Sequence, residues 1–249
     1  MAFTRQSLLA GDTQLGTWLN LGSPFTPEIA GLAGFHWVLL DREHGSGDEN
    51  SIAFQIMAAQ CGNTAAIVRV SGVNPAEIER ALDFGPAGIM VPSIDTADQA
   101  QQVIRAVRIP PLGDRGAASS TRASRYGFGY QHYLETANQT LVTMLQIESQ
   151  TAVENAGRIA AIDGADVLFV GPTDLSISMN VEDASHAFQQ ALETVAAAAR
   201  ANGKAAGILA RTQQQAAKYK QLGYSVIAIE SDRGLLAKGF RNAVAEFTP

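Results

Sequence analysis

Ionisable and polar side chains gather at the ends of short apolar runs: Asp41-Arg42-Glu43-His44 after WVLL, Arg69 in AAIVRV, Gln146 and Glu148 in LVTMLQIE, and Gly171-Pro172-Thr173-Asp174 after VLFV. Glu148 and Asp174 follow different runs yet close them at corresponding points, so a fold that sets the runs side by side brings two carboxylates together. That pair suits a hard cation. Mg²⁺ takes one or two protein carboxylates and fills its other positions with water and substrate oxygens, which leaves room for a chelating 2-oxo acid. Asp174 alone reads equally well as a cap for the helix that LSIS begins, and its pairing with Glu148 favours the metal. His44 lies in the glycine-flanked loop EHGSG, where an imidazole can reach a substrate and accept a proton, although a lone histidine also fits a turn. Arg69 sits in an apolar run, where an unpaired guanidinium is costly to bury. It needs an anion, either a structural carboxylate or an oxygen on which charge develops during reaction.

Eight β-branched apolar runs recur along the chain: 16–21, 37–41, 65–70, 88–94, 141–148, 167–171, 205–209 and 226–231. Amphipathic stretches such as PAEIERALDF, TADQAQQVIRAVR and TQQQAAKYKQLG separate them, the pattern of repeated βα units around a buried parallel sheet. An open dinucleotide-binding sheet would favour G-x-G-x-x-G after its first strand, and GSPFTPE is not that. The expected fold is α/β, a (β/α)8 TIM barrel formed as a single domain over 1–249, with its site on the rim at the strands' C-terminal ends. Residues 109–140 read as a long Gly, Ser and Arg-rich connection between the fourth and fifth strands, expected over that rim.

The chain has 249 residues and a formal charge of -6, with no basic run interleaved with aromatics, so a nucleic-acid surface is not expected. No apolar stretch approaches the ~20 residues of a membrane span, and the N-terminus lacks a signal-peptide core. A cytoplasmic protein acting on small molecules is the expectation. Cys61, the only cysteine, excludes an intrachain disulfide and reads as a buried thiol in a helix. Lys204, Lys218, Lys220 and Lys238 are the only lysines. The first precedes the seventh run and the rest fall in outer helices, so imine catalysis finds no lysine at the site.

The motifs LGTWLNLGSP, GFHWVLLDREHG, IVRV, LDFGPAGIMVPSIDTADQA, PPLGDRGAASSTRAS, MLQIE, VLFVGPTDLSISM and GKAAGIL, in this order over nearly the whole chain, resemble the HpcH/HpaI aldolase family of class II pyruvate aldolases. The resemblance implies a phosphoenolpyruvate/pyruvate-type barrel, a divalent cation (Mg²⁺, Mn²⁺ or Co²⁺), and aldol addition of a 2-oxo acid such as pyruvate or hydroxypyruvate to an aldehyde in aromatic or sugar acid catabolism. It implies a proton-accepting role for His44, charge stabilisation by Arg69, and an Asp83 that raises the histidine's basicity. Glu148 and Asp174 match the metal ligands. Gln146 matches a substrate-contacting glutamine, and Gly171, Pro172, Thr173 and Asp174 match the turn whose backbone amides receive the oxo acid's carboxylate. It also implies a hexamer built as a trimer of dimers, the last helix packing on a neighbour. Arg42 and Thr173, where glycine and alanine are common, and a short NVEDASHAF segment depart from the pattern and put the acceptor in question. Two alternatives are a citrate-lyase or malate-synthase-like enzyme using coenzyme A, for which only Arg115, Arg122 and Arg125 offer a phosphate cradle, and a non-catalytic 2-oxo acid binder, against which His44 with Arg69 stand.

Overall fold

In the computed structural model, which describes residues 3–248, eight parallel strands close into a barrel in sequence order. They are β1 (Gln14–Leu19), β2 (Trp37–Asp41), β3 (Ala65–Arg69), β4 (Gly88–Val91), β5 (Val142–Ile147), β6 (Val167–Val170), β7 (Ala205–Ala210) and β8 (Tyr224–Ser231). The helices are α1 (Arg5–Leu9), α2 (Phe25–Leu32), α3 (Glu49–Cys61), α4 (Pro75–Asp83), α5 (Ala97–Val107), α6 (Tyr130–Thr140), α7 (Gln150–Ala160), α8 (Pro172–Met179), α9 (His186–Ala201), α10 (Gln213–Leu222) and α11 (Asp232–Phe247). All eight expected strands are present, with ends shifted by a few residues.

Two-residue periodicity divides the core into two layers. Trp18, Trp37, Leu39, Ile67, Met90, Met144, Val167 and Phe169 fill the barrel, while Val38, Leu40, Val68, Ile89, Leu145 and Leu168 face the helices. Large aromatics fit inside because glycines stand opposite. A Cβ on Gly16 would lie 2.0 Å from the Trp37 ring, and one on Gly207 2.4 Å from that of Phe169.

The same alternation continues each inner row into the C-terminal rim. Trp37 and Leu39 lead to Asp41, Ile67 to Arg69, Met144 to Gln146 and then Glu148, Phe169 to Gly171, and Trp18 to Asn20. Register sets Asp41 beside Arg69. The barrel thus delivers polar side chains to one mouth because their parity matches that of the core residues beneath them.

The segment 109–140 lies on the other rim, which corrects the expectation for it. Because α5 stands between β4 and this segment, it returns the chain to the strands' N-terminal ends. Its N–H groups at Asp114, Arg115 and Ala123 bond the carbonyls of Arg105, Arg108 and Asp83. Arg122 bonds the Phe84 carbonyl and the Gln60 side chain, and Arg115 is buried against Tyr133. Part of the segment is α6, not loop. Cys61, expected buried, is exposed: it ends α3 on the side away from the barrel.

Candidate active site

Arg69, buried, is the hub of the rim. Its Nε and Nη2 donate to Asp41 Oδ1 and Oδ2 at 3.0 and 2.8 Å, and its Nη1 lies 2.8 Å from Glu43 Oε2 and 3.4 Å from Gln146 Oε1. The guanidinium carbon stands 5.6 Å from the centre of the Trp18 ring. Arg69 therefore has structural carboxylate partners, and a side chain so held is pre-oriented. Asp41, whose side chain is wholly buried, also accepts from the N–H groups of Glu43 and His44 and from Asn20 Nδ2. Burial pushes its carboxyl upward, but the hydrogen bonds and charge of Arg69, together with the N–H groups of His44 and Glu43, outweigh burial and hold it below its ordinary value.

Across Arg69 lies Glu148. Its Oε1 accepts from the backbone N–H and hydroxyl of Ser93 at 2.7 and 3.0 Å, and its Oε2 from Gln146 Nε2 at 2.8 Å. Ser93 makes both contacts from a left-handed backbone, φ 57°, an uncommon conformation for serine. Burial pushes the Glu148 carboxyl up; the Ser93 hydrogen bonds oppose this and the charge of Asp174 adds to it. Glu43 is also raised, by burial first, with Arg69 opposing.

Gly171 separates Glu148 from α8. A Cβ there would meet Glu148 Oε2 at 2.9 Å and Gln146 Nε2 at 3.3 Å, so the absence of a side chain leaves space beside the carboxylate. Gly171 also starts α8, which has no side-chain cap, unlike α3, α4, α5, α7, α9, α10 and α11. Pro172 brings no N–H, and the Thr173 and Asp174 N–H groups have no acceptor within the helix. Asp174 is exposed in that first turn, and Thr173 Oγ1 accepts from Arg211 Nη2 at 2.6 Å.

Of the residues read from sequence, Arg69, Gln146, Glu148, Gly171, Thr173, Asp174 and the His44 loop share this rim. Asp83 does not. It closes α4 on the N-terminal rim, its carboxyl raised by burial with the charge of Arg115 opposing, so within one chain it is not brought to His44. Arg42 is out of phase with the inner row and turns toward the helices, 3.7 Å from Glu49. Asn20, Ser93, Arg211 and Arg233 received no role from sequence. Counting in steps of two from Trp18 reaches Asn20, and from Leu209 reaches Arg211. No local pattern marks Ser93 or Arg233. His36 Nδ1 accepts from the Leu15 N–H, a structural role.

The donor set tests the implied cation. Glu148 borders a space that Gly171 keeps open, and its carboxyl is raised by burial, with the charge of Asp174 adding to the rise and Ser93 and Arg69 opposing it; among the described residues no group of three or more His, Cys, Asp or Glu side chains comes together. Such a set fits a hard, octahedral ion that keeps water and substrate oxygens, not a closed cage of protein ligands.

The model of the HpcH/HpaI aldolase/citrate lyase family matches residues 14–239. The chain belongs to this family. It is 38% identical over 241 residues to the 5-keto-4-deoxy-D-glucarate aldolase of Klebsiella pneumoniae subsp. pneumoniae, covering 96% of this chain and 92% of that one. The same-named protein of Escherichia fergusonii is 37% identical, covering 98% and 95%. Among solved structures, an HpcH/HpaI aldolase/citrate lyase family protein from Burkholderia cenocepacia superposes with TM-score 0.92 at 35% identity, covering 97% of each chain. An HpcH/HpaI aldolase from Desulfitobacterium hafniense superposes with TM-score 0.91 at 26% identity, covering 100% of this chain and 98% of that one. The chain is an aldolase, a carbon–carbon lyase of this family.

Proposed function

We propose that this aldolase adds pyruvate or a related 2-oxo acid, such as hydroxypyruvate, to an aldehyde, and cleaves the product in reverse, in the catabolism of a sugar acid. The observation that carries the reading is the convergence of Arg69, Gln146 and Glu148 with the uncapped α8 N-terminus on one barrel mouth. Glu148 and Asp174 would hold a divalent cation, Mg²⁺ or Mn²⁺ with Co²⁺ as a substitute, which supplies Lewis-acid withdrawal of charge toward the C2 oxygen of a 2-oxo acid. The free N–H groups of Thr173 and Asp174 offer hydrogen bonds to the oxo acid's carboxylate, with Gly171 and Pro172 shaping the turn. Arg69, locked by Asp41 and Glu43, provides a fixed positive charge beside the oxygen that becomes an enolate. Gln146 ties Arg69 to Glu148 and faces the substrate. His44, on a glycine-flanked loop at the mouth, accepts the proton and returns it.

Asp83 reaches such a histidine only from another copy of the chain, and a homo-oligomer, a hexamer as a trimer of dimers, is part of the proposal. Supporting it, α11 exposes Phe240, Val244 and Phe247, and an apolar groove lined by Leu19, Ile29, Phe35 and Leu235 lies beside it. Among the described residues no helix is long and apolar enough to cross a membrane. We read the chain as a single domain over 1–249 working in the cytoplasm.

The test is incubation with pyruvate, Mg²⁺ or Mn²⁺ and a panel of short, polyhydroxylated and acidic aldehydes, with product mass analysis. Adducts of pyruvate mass plus aldehyde mass that vanish with chelator are the expected result. Condensation that survives full chelation excludes the metal assignment.

A further inference from the structure

The imidazole of His44 is 74% exposed, and its one ionic neighbour among the described residues is Glu43, with Nε2 and Oε1 3.9 Å apart. Among the described residues it makes no side-chain hydrogen bond, so the place from which it reaches the mouth is set by the backbone that carries it. On one side that backbone is held by Asp41, whose Oδ1 accepts from the N–H groups of Glu43 and His44 at 3.0 and 3.2 Å. On the other side stands Arg233, in the first turn of α11. Its Nη2 donates to Ser46 Oγ at 2.7 Å and to the Asn20 carbonyl at 3.0 Å, while Nη1 reaches the His44 carbonyl at 3.5 Å, the long limit of a hydrogen bond.

One guanidinium thus joins two loops of the barrel mouth, the one after β1 and the one after β2. Neighbouring contacts close the arrangement. The Ser46 N–H bonds the Asn20 carbonyl at 2.8 Å, and buried Asp232 accepts from the N–H groups of Asn20 and Leu21 at 2.9 and 3.1 Å. A cation in the first turn of a helix opposes the helix dipole, so α11 itself gives no reason for an arginine here. The three acceptors do. A planar fork of donors can span acceptors on two loops, whereas a lysine ammonium on its flexible stem is a single point.

We propose that Arg233 is a positioning residue for the aldol reaction: its guanidinium clamps the His44 loop to the end of β1 and the start of α11, and so fixes the line along which His44 meets the substrate. This rests on His44 as the proton acceptor. On that reading the oxo acid and the cation would be held from β5 and α8, and the clamp joins the β1 and β2 loops to α11. Loosening it therefore slows proton transfer and spares their binding, because a misaligned group costs rate where reacting atoms must meet within narrow limits.

The experiment follows exchange of pyruvate methyl protons with deuterium oxide in the presence of Mn²⁺ and without aldehyde, for the unsubstituted protein, Arg233→Lys, Arg233→Ala and Ser46→Ala. In Arg233→Ala the exchange kcat should fall about 10-fold or more while the KM for pyruvate stays within about twofold. Arg233→Lys and Ser46→Ala should lie between, all with near-native melting temperatures, and millimolar guanidinium should restore part of the Arg233→Ala rate. An Arg233→Ala rate within about twofold of the unsubstituted protein, or a loss confined to KM, overturns the clamp alone. No exchange in the unsubstituted protein overturns both the clamp and the site reading beneath it.

Discussion

Replacing Asp41 by asparagine removes one negative charge and keeps the shape of the side chain. Asp41 is fully buried and satisfies two Arg69 donors, two backbone N–H groups and the Asn20 amide. Asparagine retains one acceptor oxygen and turns an amide donor toward groups that themselves donate. Breaking a buried ion pair costs ~3–5 kcal/mol, and Glu43, 2.8 Å from Nη1, still compensates part of the Arg69 charge, so the lower figure of about 3 kcal/mol applies. For a chain of this size that is a fall in Tm of roughly 6–12 °C. The loss is pH-dependent with a definite sign. A carboxyl held below its ordinary value contributes stability above about pH 4 and loses it as pH falls through its lower folded value. The stability gap between the native chain and Asp41→Asn should therefore be full at neutral pH and close as pH falls through the lowered folded value of Asp41. Urea titrations at a series of pH values measure it. Equal stability at neutral pH, or a gap that persists unchanged into acid, would refute the placement of charge described for the hub.

Gly171→Ala places its Cβ 2.9 Å from Glu148 Oε2 on a backbone that alanine adopts freely, so the carboxylate and not the fold must give. Mn²⁺ affinity measured by calorimetry should fall ~10-fold while Tm drops by only a few degrees, and native affinity in this variant would count against Glu148 as a ligand. Arg42→Gly should leave the relative kcat/KM values for short, polyhydroxylated and acidic aldehydes unaltered, because Arg42 turns out of the inner row toward Glu49 at the start of α3; a changed ranking would put it at the acceptor after all. Borohydride with pyruvate should leave the protein mass unchanged, since Lys204 precedes β7 on the far rim and Lys218, Lys220 and Lys238 lie in α10 and α11. A pyruvyl adduct on lysine is the contrary result.

The barrel was legible in the sequence because buried parallel strands carry a signal of their own, an apolar run broken by polar residues only where it reaches the rim. That signal also exposed Arg69, Gln146, Glu148 and Asp174, each at or just past a strand end. Partners that depend on register were not legible. Asp41 and Arg69 pair because β2 and β3 align them, and Ser93 reaches Glu148 from a left-handed turn that VPSI does not announce. Arg42, one residue past Asp41, illustrates the limit: its place after the strand makes it a rim residue, while parity turns it outward, toward Glu49 at the start of α3. In the segment 109–140 the glycines and arginines suggest a rim loop over the site, but α5 precedes it and returns the chain to the strands' N-terminal ends. Asp83 took its role from resemblance alone, and a single chain keeps it from His44.

The most direct test of the central claim is exchange of pyruvate methyl protons with deuterium in the absence of any aldehyde, read by mass spectrometry or proton NMR. Enolate formation at this site predicts exchange that requires a divalent cation, stops with chelator and falls by about 10²-fold or more in Arg69→Ala and in His44→Ala. Exchange that proceeds undiminished without metal, or that ignores the loss of Arg69, would contradict it.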